Sequence, residues 1–202
     1  MSKLQSRSAF EDIVVPGRFG QAEGEPGVTV TERVELGLAS VEMRKGQRDA
    51  LRTSVRETYG VALPEGSTVA LGKDVMFIGT GPGQWLAVSQ ALANEDLAAD
   101  LAAKLKGLAS VADQSSGRGT LRLSGPRARD VLAKGLAIDL DPRVFPAGSA
   151  TTSTLAHMGV LVWREGDEES FDIVLFRSVA ESFWRWLSAS AAEYGCEVVT
   201  AS

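Results

Sequence analysis

Val75-Met76-Phe77-Ile78, then Gly79-Thr80-Gly81-Pro82-Gly83, then Trp85-Leu86-Ala87-Val88 is the stretch whose reading decides the fold. Two short apolar runs, separated by glycines and a proline, predict a β-hairpin. Toward the N-terminus, Gln47 to Tyr59 carries Leu51, Val55 and Tyr59 at i, i+4 spacing and meets Gly60, the pattern of an amphipathic helix with its stop. Leu36, Leu38 and Val41 mark a strand before it. Toward the C-terminus, a helix from about Glu95 to Lys106 is expected, with Asn94 as its cap and Leu97, Leu101 and Leu105 on one face. A short strand at Leu108–Ala112 closes the series as β-α-β-β-α-β.

The second half repeats that order. Thr120–Leu123 reads as a strand and Pro126 to Lys134 as a helix, with Pro126 in the first turn and Gly135 at the end. Thr152–Ala156 and Val160–Trp163 read as strand material, and Gly166-Asp167-Glu168-Glu169 as a polar turn into a strand at Phe171–Phe176. Val179 to Tyr194 is the last helix and Glu197–Thr200 the last strand. The expected class is therefore α+β: two βαββαβ (ferredoxin-like) lobes at 35–116 and 117–202, packed as one compact unit. The duplication rests on element order alone, since no residue-level repeat accompanies it.

Residues 1–34 stand apart as an extended N-terminal arm. Pro16 to Gly27 is rich in turn formers and has no periodicity, which excludes a long helix or a central strand there. A solvated tail and an arm lying across a partner both fit. Phe10, Ile13, Val14, Val15 and Phe19 favour the arm, because a purely solvated tail needs fewer apolar residues.

Composition narrows the function. The chain has 202 residues with 44% apolar and 23% charged residues and a net charge of −5, which is ordinary for a globular protein and argues against a nucleic-acid binder. A single cysteine, Cys196, and a single histidine, His157, exclude an intrachain disulfide and any cysteine-based metal cluster. No apolar run approaches the ~20 residues of a membrane span. The N-terminus lacks a hydrophobic signal core, so a cytoplasmic protein is expected.

The glycine-rich segments do not read as nucleotide sites. Gly79–Gly83 lacks the third glycine of the dinucleotide fingerprint and joins two strands, whereas the fingerprint opens a helix. Ser115-Ser116-Gly117-Arg118-Gly119 reads as a hairpin turn. No Gly-x-Ser-x-Gly elbow occurs. His157 ends an apolar strand and reads as structural or interfacial, and Cys196 reads as packing. Two features suggest binding instead. Arg48, Arg52 and Arg56 form a basic stripe, either a solvated face or a seat for an acidic partner. Trp184 falls about 100° off the apolar stripe of the last helix, as edge packing or as an interface anchor. With Phe10 and Phe19 these are the candidate interface residues; none is assigned catalytic, cofactor-binding or metal-binding work.

The residues also resemble a known family. Arg7-Ser8-Ala9-Phe10, Val28-Thr29-Val30-Thr31-Glu32-Arg33, Gly83-Gln84-Trp85-Leu86, Asp113-Gln114-Ser115-Ser116-Gly117-Arg118, Leu121-Arg122-Leu123-Ser124-Gly125-Pro126 and Ser182-Phe183-Trp184-Arg185-Trp186-Leu187 are similar to the gamma subunit of heterotetrameric sarcosine oxidase, almost end to end. That family is itself similar to the folate-binding domain of aminomethyltransferases, which implies two related α+β lobes with exchanged strands. The resemblance implies a non-catalytic subunit of a complex that oxidatively demethylates sarcosine to glycine, with hydrogen peroxide and methylene-tetrahydrofolate or formaldehyde as products. It implies alpha, beta and delta subunits as partners, with FAD, FMN, NAD and tetrahydrofolate held by those partners and no cofactor on this chain. Aminomethyltransferases carry an aspartate in the first strand of the hairpin before a helix like 179–194. Ala156 to Trp163 holds no carboxylate, so general acid/base work on a folate amine lacks its group here. A stand-alone folate-binding or one-carbon-transfer protein is the alternative reading, and RNA binding through the arginine stripe a third.

Overall fold

The structure, a computed structural model, describes residues 7–21, 23–92, 95–166 and 169–200. Asn94, expected to cap a helix, and Asp167-Glu168 of the acidic turn lie outside the described residues. In chain order the first elements are β1 (Gly17–Phe19), β2 (Val28–Glu32), β3 (Gly37–Met43), α1 (Arg48–Tyr59), β4 (Val69–Leu71), β5 (Met76–Gly81), β6 (Gln84–Ser89), α2 (Glu95–Lys104) and β7 (Ala109–Asp113). The remainder are β8 (Arg118–Ser124), α3 (Ala128–Ala133), β9 (Ala150–Leu155), β10 (Met158–Trp163), β11 (Ser170–Phe176), α4 (Ala180–Ala191) and β12 (Cys196–Val199).

The strands make two sheets. One is five-stranded and antiparallel, in the order β4-β5-β6-β3-β7. Because β3 and β5 both run antiparallel to β6, they are parallel to each other and need a crossover, which α1 supplies. By the same reasoning α2 joins β6 to β7. The first lobe is thus the ferredoxin-like unit that the hairpin pattern implied, with the unforeseen β4 added at its edge. Leu51 and Val55 of α1 and Leu97 and Leu101 of α2 are buried against Val41, Phe77, Trp85 and Ala87 on one face of this sheet.

The other sheet is seven-stranded, in the order β1-β12-β2-β8-β11-β10-β9. Three of the sequence expectations change here. First, residues 17–32 are not an arm held off the fold. β1 pairs with β12, and β2 lies between β12 and β8, parallel to the former and antiparallel to the latter. Val28 and Val30 are buried while Thr29 and Thr31 are half-buried, so the short Val-Thr-Val-Thr alternation is a genuine two-faced strand despite its glycine-rich approach. Second, three strands rather than two separate α3 from α4. β9 and β10 form their own hairpin through Ala156 and His157, and β10 pairs with β11. Third, Ser115–Gly119 is not a hairpin turn, because β7 and β8 belong to different sheets. The segment is a crossing, pinned where the Leu38 N–H donates to Ser115 Oγ (3.0 Å) and the Ser115 hydroxyl lies 2.8 Å from Asp113 Oδ1.

Phe10 is likewise an internal residue. It is fully buried in the core beneath α3 and α4, seated over Gly119, where an added Cβ would lie 2.6 Å from the Phe10 ring. Only a residue without a side chain leaves that seat open. The Arg177 guanidinium holds the chain in place by donating to the backbone oxygens of Arg7 (2.6 Å) and Ser8 (2.9 Å).

The two sheets face each other through a third apolar layer. Leu36, Leu38, Ile78, Leu86 and Val88 meet Leu161, Trp163 and Val174, and the helices cover the outer faces, giving four layers in the order helix, sheet, sheet, helix. The sheets are stitched at one corner, where Val69 N–H donates to Gly148 O (2.8 Å) and Ala150 N–H donates to Ser67 O (3.1 Å). With both faces covered, Phe171 to Leu175 of β11 is buried throughout, and a continuous apolar run would be expected. Asp172 interrupts it.

Three outcomes follow from this arrangement. A chain starting at residue 35 lacks β2, leaves the edges of β12 and β8 unpaired, and gives neither a cooperative melt by circular dichroism nor a monomer peak by gel filtration. Phe10→Ala lowers stability in urea titration by roughly 3–5 kcal/mol, the usual cost of emptying a buried phenylalanine seat. Ala156 (φ 47°) and His157 (φ 69°) both hold the left-handed region that a two-residue hairpin demands. His157→Gly therefore raises the melting temperature slightly, because relief of roughly 1–2 kcal/mol of left-handed strain exceeds the roughly 0.5–1 kcal/mol that glycine's freedom costs.

Candidate functional site

Asp172 centres a buried cluster of charge at the seam between the sheets. It is 2% exposed and lies directly across from Arg122 of β8. Arg122 donates from Nε to Oδ1 (2.9 Å) and from Nη2 to Oδ2 (2.6 Å), a two-pronged contact. Arg33, one residue beyond β2, donates from Nη1 to Oδ1 at 3.1 Å. β2, β8 and β11 are adjacent strands, so their register alone brings the three side chains to one face. Arg122 also reaches Glu165 (3.3 Å), and Arg33 is ion-paired to Glu35. The hydrogen bond to Asp172 raises the Arg122 guanidinium above its ordinary pKa.

This cluster borders a cleft of about 260 Å³ that Trp163, Ser89 and Asp74 also line. The Trp163 indole N–H is buried and has no acceptor among the described residues. The chemistry open to this arrangement is limited. Asp172 accepts three N–H donors from two arginines, which leaves at most one of its roughly four lone-pair sites for a substrate. Among the described residues, no group of three or more His, Cys, Asp or Glu side chains could hold a metal ion. Asp172, on the strand that follows residues 156–163, is the salt-bridge partner of Arg33 and Arg122.

Sequence inspection missed Asp172, Arg33 and Arg122. The signal was available in part: Phe171-Asp172-Ile173-Val174-Leu175 is an apolar run with one carboxylate at a core position. A buried acid requires a cation, but which cation depends on register.

The residues singled out from the sequence fall on opposite outer layers. Trp184 is half-buried on α4 and meets Phe19 of β1 edge-on, with ring centroids 6.0 Å apart and planes at 82°. This is edge packing within the chain, so both residues, like Phe10, serve the fold. Arg48, Arg52 and Arg56 lie on α1, on the other side of the molecule. Arg48 and Arg56 are exposed, whereas Arg52 pairs with Glu65 at 2.7 Å. Asp49 and Glu57 share that surface and dilute its positive charge. His157 is exposed at a hairpin tip, and Cys196 is buried at the start of β12 with its thiol pushed up to about 11 by desolvation, which keeps it protonated and unreactive at neutral pH. No helix among the described residues is long and apolar enough to cross a membrane.

With this geometry established, comparison with known proteins is informative. The fold is that of the glycine cleavage system aminomethyltransferase T from Bartonella henselae, at TM-score 0.63 and 17% identity over 87% of this chain and 48% of that one. A chain of the heterotetrameric sarcosine oxidase from Corynebacterium sp. U-96, solved in complex with pyrrole 2-carboxylate, superposes at TM-score 0.76 with 28% identity, covering 93% of this chain and 95% of that one. The sarcosine oxidase subunit gamma of Corynebacterium sp. (strain P-1) is 34% identical over 181 residues, 88% of each protein, and that of Arthrobacter sp. is 31% identical over the same shares. The model of the sarcosine oxidase, gamma subunit family matches residues 45–193. The chain belongs to the sarcosine oxidase gamma subunit family.

Proposed function

We propose that this chain is a non-catalytic gamma subunit of a heterotetrameric sarcosine oxidase, assembled in the cytoplasm with alpha, beta and delta subunits. The complex would oxidise the N-methyl group of sarcosine with oxygen as acceptor. The products would be glycine, hydrogen peroxide and either formaldehyde or, with tetrahydrofolate as one-carbon acceptor, methylene-tetrahydrofolate. The observation that carries this reading is the match to a chain of such a complex over 93% of the length. Its support from the site is chemical: the buried carboxylate is consumed by two arginines, the cysteine is kept protonated by burial, and the histidine sits on an exposed turn. On this reading FAD, FMN, NAD and tetrahydrofolate are held by the partner subunits, and this chain contributes surface and rigidity.

Co-expression tests the assignment directly. Tagged protein produced with the alpha, beta and delta subunits should elute as one complex that forms peroxide from sarcosine; elution as a lone monomer would remove the proposal. Asp172→Asn separates a structural role from an acid/base one. In the free chain it should cost at or somewhat below the ~3–5 kcal/mol of breaking a buried pair, since Arg122 is 32% exposed and keeps Glu165. The assembled complex should retain its kcat and its pH profile with sarcosine. A flattened or shifted acidic limb would make Asp172 a participant in the chemistry.

A further inference from the structure

At the end of the seam opposite the Asp172 cleft, the apolar layer between the sheets opens as a groove of about 320 Å³. Leu86 of β6 and Leu161 of β10 line it, with Arg118 and Phe176. Phe176, the last residue of β11, is 52% exposed. The Arg118 guanidinium stacks over its ring, 4.4 Å from the centroid. Arg118 differs from Arg33, Arg122 and Arg129, which are also partly buried. Arg33, Arg122 and Arg129 each contact a carboxylate, at Asp172 or Glu169. Arg118 donates only from Nε, to Gln114 Oε1 at 3.1 Å, and has no carboxylate within ion-pair distance among the described residues. Burial without a counter-charge lowers its pKa from the ordinary guanidinium value.

A half-desolvated cation without an anion is costly unless something supplies the anion. An arginine stacked on an exposed aromatic ring, beside an apolar floor, is also the composition of an interface hot spot. We infer that this groove receives a segment of a partner subunit carrying an aspartate or glutamate next to an apolar side chain. The carboxylate pairs with the Arg118 Nη groups, and the apolar side chain buries the exposed Phe176 ring at the rim, above the already buried Leu86 and Leu161. The available volume suits one or two side chains. The arginine stripe on α1, by contrast, already has Glu65, Asp49 and Glu57 around it.

The inference rests on the subunit reading above, and the test keeps the two apart. The tagged chain is co-expressed with the alpha, beta and delta subunits as wild type, R118E, F176A and the control R143E, whose exposed arginine pairs locally with Asp141. Wild type and R143E should retain the partners. R118E should lose at least about tenfold in retention and F176A a smaller but clear share, as reversing or truncating a desolvated interfacial anchor does, with melting temperatures of the free chains unchanged. If R118E and F176A retain partners as wild type does, the groove is not the docking site, although the subunit reading survives. If wild type retains nothing, both fail. Self-association of the wild-type chain that R118E abolishes would assign the groove to a second copy and overturn the proposal. Should a variant fold poorly, amide exchange on the wild type decides: protection at residues 118–120 and 176–177 in the complex over the free chain supports docking, and its absence refutes it.

Discussion

β2 is held on both sides by strands that are remote in sequence: parallel to the last strand of the chain and antiparallel to β8. Everything in the second lobe depends on this insertion. In a plain ferredoxin-like unit, the fourth strand would lie beside the first. Here β12 and β8 are a full strand apart, and β2 fills the gap with its own hydrogen bonds. Without it, each would present an unpaired edge in the middle of the sheet, where neither charge nor water protects it. The two chain ends are thereby tied into one sheet, and the segment before β2 is drawn over β8, which brings Phe10 onto Gly119.

The same insertion explains the buried charge. β2 delivers Arg33 to Asp172 from one side while β8 delivers Arg122 from another, so the carboxylate receives all three N–H donors only when the three strands are in register. A slip of one residue would turn Asp172 toward the helices and the apolar residues of β11 toward the seam. Such a cluster contributes less to net stability than well-packed apolar residues would, but it penalises wrong pairings severely. In a sheet whose order departs from chain order, that penalty helps select one arrangement.

The seam between the sheets has two unlike ends. At one, Asp172 is saturated by its own chain. At the other, Arg118 lies against the exposed Phe176 ring with no carboxylate in ion-pair distance among the described residues. An exposed aromatic ring stacked under a cation without a counter-charge is the composition of an association surface. Membership of a family whose relatives are named as subunits fits that organisation.

The helices and the β5–β6 hairpin were legible in the sequence because their causes are local. Leu51, Val55 and Tyr59 at i, i+4 define α1 whatever it packs against, and Pro82-Gly83 turns the chain between β5 and β6 without help from elsewhere. The tertiary structure alone decided that Val28–Glu32 is a strand within the second sheet, that Phe10, Phe19 and Trp184 pack inward, and that Arg33 meets Asp172 across 139 residues of chain. Val28–Glu32 follows a turn-rich run without periodicity that masks its short alternation, and a cross-strand partner leaves no trace in its neighbour's sequence. Pairing and burial are properties of the assembled sheet, fixed only when distant segments compete for the same hydrogen bonds and the same apolar faces.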